Sequence, residues 1–398
     1  MNLVKRNCSV CNADDFTEAF YQEYKSVAAF GGDSYFQTVV VCNNCGFAYS
    51  NPTPCNEELS KYYRNFSNYE NPQRDGKESE QMLAKWRRTY ALVEKHFPEN
   101  YHGSVLEIGC ATAAGLSIFK SNGWDVMGIE PSEKAVNFAH DLYEIEVING
   151  IFDCKLFVDK DPFDIIILSH VMEHLLSPNL ILNDIRSLLG DGGLVYIEVP
   201  NLLRPFVPMG YFTIEHLNYF SPTTLSSLMK INGFSVEIEL FDNSADIEPF
   251  YPVIAAVGKK SYKLGSISND YDAVYRAIQD YKQSSGIAVK NIQSKIDLII
   301  KNVKRGKLGI WAAGLHTSQL LSMTTLSNEP IVCVFDNDPK KHGKRINGVE
   351  IIGYVDPEST AKLVDAIVIS SKASENEIYN QIEHLQKYGI SVYKLYDK

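Results

Sequence analysis

The segment 104–131 constrains the fold of this chain more than any other stretch of its sequence. Residues 105–108 predict a short buried strand, residues 109–115 form a turn of small residues, and residues 116–122 predict a helix. Gly123 ends that helix, residues 125–129 predict a second strand, and Glu130 follows it. This order is half of a mononucleotide-binding unit, in which the acid accepts hydrogen bonds from a ribose. The alternative is a strand–glycine–helix turn that binds nothing.

The spacing of small residues in this turn discriminates between two cofactors. The pattern Glu107-x-Gly109-x-Ala111-x-x-x-Gly115 resembles the first motif of class I S-adenosylmethionine (SAM) methyltransferases. A dehydrogenase fingerprint usually has glycine where Ala111 stands. The resemblance implies that residues 109–111 pass beneath the methionine part of SAM and that Glu130 holds the ribose hydroxyls. The implied cofactor contacts in this segment are Glu107, Gly109, Cys110, Ala111, Gly115, Glu130 and Pro131.

Length and charge restrict the classes of function. A chain of 398 residues is long enough for two or three domains, each with its own core. The net charge of −11 argues against binding of nucleic acid by a basic surface. The N-terminus lacks the apolar region of a signal peptide, and no apolar run approaches the ~18 residues of a membrane span. The sequence therefore predicts a cytoplasmic protein that binds neither nucleic acid nor membranes.

Two Cys-x-x-Cys pairs stand near the N-terminus, Cys8 with Cys11 and Cys42 with Cys45. Each pair aims two thiolates at one point, and two pairs complete a tetrahedron around zinc. Four sulfur ligands leave no open position, so we expect a structural zinc ion rather than a catalytic one. The alternative is a set of unrelated free thiols. The isolated cysteines Cys55, Cys110, Cys154 and Cys333 are predicted to be packing residues.

Five regions follow one another along the chain. We predict a zinc-binding module over 1–56, a helical lid or connector over 57–100, a methyltransferase core over 101–258, a connecting helix over 259–305, and a smaller Rossmann-like domain over 306–398. The connector contains a cluster of tyrosines, including the candidate substrate contacts Tyr62 and Tyr69. They either cover the bound cofactor and substrate or form a packing patch between two modules.

The region 101–258 alternates strands with helices, which predicts a parallel sheet with helices on both faces. Phe152 and Asp153 follow the third strand, 146–148, and their place in the methyltransferase pattern implies contacts with the adenine of SAM. The fourth strand, 163–169, leads into Ser-His-Val-Met-Glu-His, which resembles the fourth motif of the same class. This resemblance implies that Ser169, His170 and Met172 lie near the cofactor.

Candidate catalytic residues follow the fifth strand, 194–199, at the edge of the sheet where ligands bind in open α/β folds. Asn201 begins a long loop that ends in Glu215-His216 and the nearby Tyr219. His216 is our candidate base, with an unperturbed pKa near 6.5. Glu215 would bind substrate or orient the imidazole, and Tyr219 would donate to a developing enolate. The alternatives are that His174 is the base or that His216 only fixes the loop.

The C-terminal part repeats the logic of strand, turn, helix, strand and acid. Residues 308–311, 331–335 and 366–370 predict strands, and an apolar stripe in the preceding helix must pack on a neighbour. His316, Asp336 and Lys372 are candidate contacts for an activated sugar or its nucleotide. The alternative is a purely structural or dimerising lobe.

The order of zinc knuckles, methyltransferase core and second Rossmann-like unit resembles the three-domain C-methyltransferases of nucleotide-linked deoxysugars. That resemblance implies an α/β fold, SAM and structural zinc as cofactors, and a nucleoside-diphosphate keto-sugar as the substrate. It also implies that His216 is the base for methylation of carbon beside the keto group. Three alternatives remain: an O-methyltransferase of the same fold, an NAD-dependent nucleotide-sugar dehydrogenase or epimerase, and a noncatalytic zinc adaptor. Both a monomer and a homodimer are compatible with the sequence.

Overall fold

The computed structural model describes residues 2–25, 27, 34–66, 78–205, 209–242, 246–247, 251–303, 306–372 and 374–396, with only the backbone for 62–66. Its first part contains short strands followed by two helices: β1 Leu3–Val4, β2 Phe16–Tyr24, β3 Tyr35–Cys42, β4 Ala48–Ser50, β5 Thr53–Pro54, α1 Asn56–Phe66 and α2 Glu80–Glu94. The side chain of Ser79 accepts a hydrogen bond from the Met82 amide and so caps the start of α2.

The middle of the chain alternates strands and helices. Its elements are β6 Ser104–Ile108, α3 Ala114–Ser121, β7 Asp125–Glu130, α4 Glu133–Tyr143, β8 Val147–Asn149, β9 Phe163–Ser169, α5 Pro178–Leu188, β10 Leu189–Pro200, β11 Asn218–Tyr219, α6 Pro222–Ile231, β12 Phe234–Phe241 and β13 Val253–Lys260. Ser221 and Thr224 form a reciprocal capping box at the start of α6.

Seven of these strands form one twisted sheet in the order β12-β13-β10-β9-β6-β7-β8. The five strands from β8 to β10 pair in parallel, and β13 runs antiparallel to β10 and β12. The strand order reverses at β6, so a crevice opens at the carboxyl ends of β6 and β9, where ligands bind in such sheets. The predicted α/β core is therefore confirmed.

The N-terminal sheet contains a strand from far along the sequence. Its order is β11-β4-β3-β2, and Asn218 pairs with Tyr49 while Tyr219 pairs with Ala48. The loop that carries the candidate catalytic residues thus ends as an edge strand beside the cysteine knuckles. The sequence prediction had placed this segment with the methyltransferase core alone.

The last part of the chain forms a second sheet of mainly parallel strands. Its elements are α7 Tyr271–Val303, β14 Leu308–Trp311, α8 Leu315–Met323, β15 Ile331–Phe335, β16 Arg345–Ile346, β17 Val349–Ile352, α9 Pro357–Leu363, β18 Ala366–Ile369, α10 Glu375–Ile382 and β19 Ser391–Lys394. The strand order is β16-β17-β15-β14-β18-β19. The apolar stripe of α7 packs on this sheet through Ile292, Ile296 and Ile299.

Strand β10 differs from the prediction at its start. It begins at Leu189 instead of residue 194, and its register with β9 shifts between Leu189 and Leu194. Gly192 adopts a φ of +82°, a left-handed conformation that glycine reaches without steric cost. The Gly192-Gly193 turn is therefore a bulge within the strand, and it does not precede the strand.

Among the described residues, no helix combines the length and apolar character that crossing a bilayer requires.

Candidate active site

The turn after β6 brings the predicted cofactor-binding residues to the crevice. Gly109 and Ala111 adopt φ angles of +70° and +47°, so the backbone makes a tight left-handed turn into α3. The Glu130 carboxylate accepts hydrogen bonds from the Ala111 amide at 3.0 Å and the Ser132 amide at 2.9 Å. Burial raises the pKa of Glu130. Glu130, at the end of β7, therefore links the turn after β6 to β7. This contact brings the predicted cofactor residues Ala111 and Glu130 together.

A second acid lies beneath this turn. Glu107 is buried, and its Oε2 has no hydrogen-bond partner among the described residues. Burial raises the pKa of Glu107 to about 8. A Cβ at Gly115 would lie only 2.8 Å from that oxygen and from the Trp86 ring, so glycine is required for α3 to approach the acid. An orphaned buried acceptor beside a glycine turn fits a site for a polar ligand.

The other predicted cofactor residues surround the same edge of the sheet. Cys110 and Met172 are buried, and Pro131 follows Glu130 directly. Phe152 stacks on Phe157 with ring centroids 5.9 Å apart. The Asp153 carboxylate accepts a hydrogen bond from the Lys155 amide at 3.0 Å, which caps a 3-10 turn. Asp153 therefore has a local structural partner that the sequence prediction did not include.

His170 lies at the centre of a network of buried charges at the carboxyl end of β9. Its φ is +56°, an uncommon conformation for a residue with a side chain. Its Nδ1 lies 3.2 Å from the Glu173 carboxylate, and its Nε2 lies 3.4 Å from Glu198. Burial alone would lower the pKa of His170, but these two acids outweigh burial and raise it.

Two cations from α2 complete the network. Lys85 Nζ donates to Ser169 Oγ at 2.7 Å and lies 3.3 Å from Glu198 Oε1, and Arg88 pairs with Glu198 Oε2. The sequence analysis missed Lys85, Arg88, Glu173 and Glu198 as members of the site. The signal for Glu198 was present, because it is the single acid in the otherwise apolar run 194–199.

The candidate catalytic histidines meet beside this network. The rings of His174 and His216 lie 4.9 Å apart and cross at 77°. One atom each of Glu173, His174 and His216 lies within 4.8 Å of the others, so the three groups could also hold a metal ion. His174 Nδ1 lies 3.0 Å from the Glu215 carbonyl oxygen, so it must donate its proton there. That hydrogen bond leaves Nε2 of a neutral His174 as an acceptor.

The expectation of an unperturbed pKa for His216 is wrong. Burial and, to a lesser degree, the neighbouring His174 together lower its pKa to about 3. Burial also tends to raise the pKa of Glu173, but its contact with His170 dominates and lowers that pKa to about 2. The cluster at neutral pH is thus a neutral His216 imidazole beside an ionised carboxylate.

Tyr219 and Asn201, two predicted site residues, form hydrogen bonds within the protein. The Tyr219 hydroxyl receives a hydrogen bond from Gln37 at 2.6 Å and lies 3.4 Å from the Thr213 carbonyl oxygen. Asn201 Oδ1 accepts from the Leu203 amide at 3.0 Å, and the residue is buried. Tyr219 therefore fastens the loop to the N-terminal sheet, which argues against its predicted donation to an enolate.

The predicted residues of the C-terminal unit lie at the corresponding edge of the second sheet. Asp336 accepts from the Ala313 amide at 2.7 Å and pairs with Lys341 at 3.1 Å. His316 Nε2 lies 2.5 Å from the Tyr396 hydroxyl, and burial together with Lys372 lowers the pKa of His316 to about 4. Asp336 thus accepts a hydrogen bond from the Ala313 amide in the same way that Glu130 accepts one from the Ala111 amide. Tyr69 and the side chain of Tyr62 lie outside the described residues.

The four knuckle cysteines converge at one point. The Sγ atoms of Cys8 and Cys45 are 3.5 Å apart, and those of Cys11 and Cys42 are 3.4 Å apart. All four are free thiols whose ligand atoms lie within 4.8 Å of one another. This donor set fits a tetrahedral ion with sulfur bonds of about 2.3 Å.

The lowered pKa of the half-buried His216 has a consequence for stability. Its folded pKa lies below the unfolded value of 6.5, so between pH 6.5 and 3 the unfolded chain binds more protons. We therefore expect the free energy of unfolding to fall on acidification, with about 1 kcal/mol from His216 between pH 7 and 5.5. Urea unfolding at both pH values checks this. His216→Gln should reduce the loss, whereas the exposed His140→Gln should not; equal pH dependence in both variants would contradict it.

Two family models match the chain. One, described as a methyltransferase domain, matches residues 79–238, and another, described as C2185-like, N-terminal, matches residues 304–395. The chain is 23% identical to the C-methyltransferase NovU of Streptomyces niveus over 402 residues, which is 96% of this chain and 93% of that relative.

Solved methyltransferases show weaker likeness. A magnesium protoporphyrin IX methyltransferase from Synechocystis with bound SAH has 15% identity and a TM-score of 0.35, and it covers 45% of this chain and 83% of its own. A 1,6-didemethyltoxoflavin-N1-methyltransferase from Burkholderia thailandensis has 13% identity and a TM-score of 0.39. The match covers 55% of this chain and 97% of that enzyme. The match of the methyltransferase model includes β6 to α6 and most of β12, the strands and helices that build the crevice described above. The chain therefore contains a methyltransferase domain over residues 79–238, built on a Rossmann-like α/β core.

Proposed function

We propose that this protein transfers the methyl group of SAM to a carbon beside the keto group of a nucleotide-linked sugar, with His216 as the base. The observation that carries this proposal is the half-buried pair His174 and His216 against the buried, ionised Glu173, at the carboxyl edge of the sheet. The full-length similarity to a C-methyltransferase supports carbon as the acceptor atom.

The cofactor would be held by the turn and by the acid at the end of β7. SAM supplies an electrophilic methyl group on a sulfonium. The turn Gly109–Ala111 offers close backbone approach, and Glu130 offers two carboxylate oxygens to ribose hydroxyls. Glu107 provides an unused acceptor beneath the turn. The chain's own tasks are therefore orientation and deprotonation of the acceptor carbon.

The histidine cluster suits removal of a proton from carbon. Burial lowers the pKa of His216 to about 3 in the free protein, so its ring nitrogen is unprotonated at neutral pH but is a weak base without help from a neighbour. When that nitrogen takes the proton, the neighbouring Glu173 carboxylate stabilises the new positive charge. The backbone carbonyl of Glu215 fixes the tautomer of His174, which can pass or receive a hydrogen bond beside His216.

The C-terminal unit is proposed to hold the nucleotide part of the substrate. His316 and Lys372 lie at the carboxyl edge of its sheet, and Asp336 organises the turn after β14 through the Ala313 amide. Burial lowers the pKa of Lys372. A cation at this edge is complementary to a diphosphate. The structural zinc ion is proposed for Cys8, Cys11, Cys42 and Cys45.

The proposal is tested by mass spectrometry of nucleotide-linked keto-sugars incubated with the protein and methyl-labelled SAM. We expect a labelled product that resists mild acid and shows a carbon-bound methyl group by NMR. Matched arms contain the same sugar without its nucleotide and the same nucleotide sugar without the keto group. A labelled methyl group bound to oxygen would contradict C-methylation and support the O-methyltransferase alternative. NAD turnover without methyl transfer would favour the dehydrogenase alternative. The turn that Asp336 organises through the Ala313 amide is the observation behind that alternative.

Removal of the Glu130 carboxylate tests the cofactor site. Glu130→Ala is expected to weaken SAM binding by about 1.5–3 kcal/mol, because hydrogen bonds to a charged acceptor are lost. Isothermal titration calorimetry measures this change, with Glu133→Ala at the exposed start of α4 as the control. Unchanged affinity in Glu130→Ala would move the ribose site elsewhere.

A further inference from the structure

Arg6 joins three separate parts of the chain through its guanidinium group. It donates to the Ser50 carbonyl oxygen at 3.3 Å, to the Leu176 carbonyl oxygen at 3.0 Å and to Asn218 Oδ1 at 2.9 Å. It also donates to the carbonyl oxygen of Leu217. Its Cζ lies 5.1 Å from the centre of the Tyr49 ring, within range of a cation–π contact. Four acceptors from three chain segments thus converge on one side chain.

The segments that Arg6 joins are the ones that carry the two histidines. Leu217 follows His216 directly, and Leu176 lies two residues after His174. The Leu217 amide donates to the Glu173 carbonyl oxygen at 2.7 Å, so the two segments also contact each other. Asn218 Nδ2 donates to the carbonyl oxygens of Met172 and Leu175 at 2.9 and 2.7 Å. Arg6 therefore sits behind the point where both histidine segments meet.

All four acceptors of Arg6 are neutral, which favours a positioning role over an ion pair. A guanidinium offers five donors in a rigid plane, which can span several carbonyl oxygens at once. A lysine carries a point charge on a flexible stem and cannot span the same set of acceptors.

The place of Arg6 in the sequence connects this contact to the knuckles. Arg6 stands two residues before Cys8, and its amide donates to Asn51 Oδ1 at 3.2 Å. Residues of the N-terminal sheet hold the loop as well: Ser50 Oγ donates to the His216 carbonyl oxygen at 3.3 Å, and Gln37 donates to that of Thr213 at 2.5 Å. The N-terminal sheet is thus the surface on which the loop is fixed.

We propose that Arg6 is a positioning residue for methyl transfer, which holds the His174 and His216 segments at their working distance from the N-terminal sheet. The inference rests on the proposed function, because it assumes that the histidine pair takes part in the reaction. Arg6 itself contacts neither candidate base through its side chain, so it acts through the backbone of Leu217 and Leu176.

The test compares Arg6→Lys and Arg6→Met with Arg186→Lys. Arg186 also donates only to carbonyl oxygens, those of Gly233 and Ser261, but at the opposite edge of the sheet. We expect kcat to fall about 10- to 100-fold in both Arg6 variants, because small misplacement of a reacting group is costly. The SAM Kd should stay within about twofold of the wild-type value, because the cofactor turn lies outside these contacts. Millimolar guanidinium should restore part of the rate in Arg6→Met, and Arg186→Lys should retain the wild-type rate.

A second readout does not depend on the substrate. Diethyl pyrocarbonate labels accessible neutral histidines, and peptide mapping gives the labelling rates of His174 and His216 separately. We expect both rates to rise at least about fivefold in Arg6→Lys, because the loop loses a contact that limits local opening. Unchanged labelling would overturn the inference whatever the substrate proves to be. Faster labelling with unchanged kcat would also overturn the positioning role. If the wild-type protein methylates no keto-sugar while labelling rises, the proposed function fails and the anchoring contact stands.

Discussion

Replacement of His216 by alanine is expected to lower the rate of methyl transfer by about a hundredfold to ten-thousandfold, the usual contribution of a general base. The physical reason is that His216 has an unprotonated imidazole at this edge, with ionised Glu173 beside it to stabilise the proton that it takes from carbon. SAM affinity should be unchanged, since Glu130 and the turn after β6 are untouched. Single-turnover rates with saturating SAM, together with calorimetry, measure both quantities.

His216→Asn and His174→Ala separate the competing assignments. Asparagine keeps a polar side chain of similar reach but cannot act as a base, so His216→Asn should be as slow as His216→Ala. His174→Ala should reduce the rate less if it only supports its neighbour, and more if it is itself the base. The exposed His140→Ala is the matched control. Near-full turnover in His216→Ala would refute the assignment, and retention in both variants would turn attention to Glu215.

Replacement of Cys42 by serine is expected to remove the zinc ion and to unfold the N-terminal sheet. Structural zinc contributes about 10–16 kcal/mol of binding free energy in small domains, and this energy is coupled to folding. Cys42 ends β3, the strand that pairs with both β2 and β4. Because β11 pairs with β4, we also expect methyl transfer to be lost. Elemental analysis, circular dichroism and the methyl-transfer assay check the three expectations.

Cys55→Ser is the control for this experiment, because Cys55 follows β5 and lies outside the four-cysteine cluster. It should retain zinc and activity. Wild-type protein that carries no metal but contains disulfides would refute the zinc proposal. Loss of zinc without loss of methyl transfer would instead show that the N-terminal sheet holds the loop without the ion.

The sequence predicted those parts of the fold that depend on local pattern. The strand, turn, helix and strand around Gly109 were predictable because apolar runs, small residues and helix stops lie next to one another in the sequence. The convergence of the four cysteines followed from paired knuckle spacing.

Other features depend on tertiary contacts that no local pattern records. Strand β11 has only two residues, too few to show an alternation of polar and apolar side chains. Its pairing with β4 joins two segments that are far apart in the sequence. The low pKa of His216 arises from burial beside His174, which lies far away in sequence. The occupation of the Tyr219 hydroxyl by Gln37 likewise needs the N-terminal sheet in place. Sequence reasoning therefore found the catalytic candidates but not the surroundings that set their chemistry.

The pairing of β11 with β4 also limits how such enzymes can be recombined. An exchange of residues 1–56 between two relatives would place a foreign edge strand against the resident loop. A viable chimera must carry the loop and its receiving strand from the same parent, although more than 160 residues separate Ala48 from Tyr219 in the chain. The segments that must be inherited together then form a discontinuous pair, and laboratory recombination that cuts only at domain borders should yield inactive hybrids.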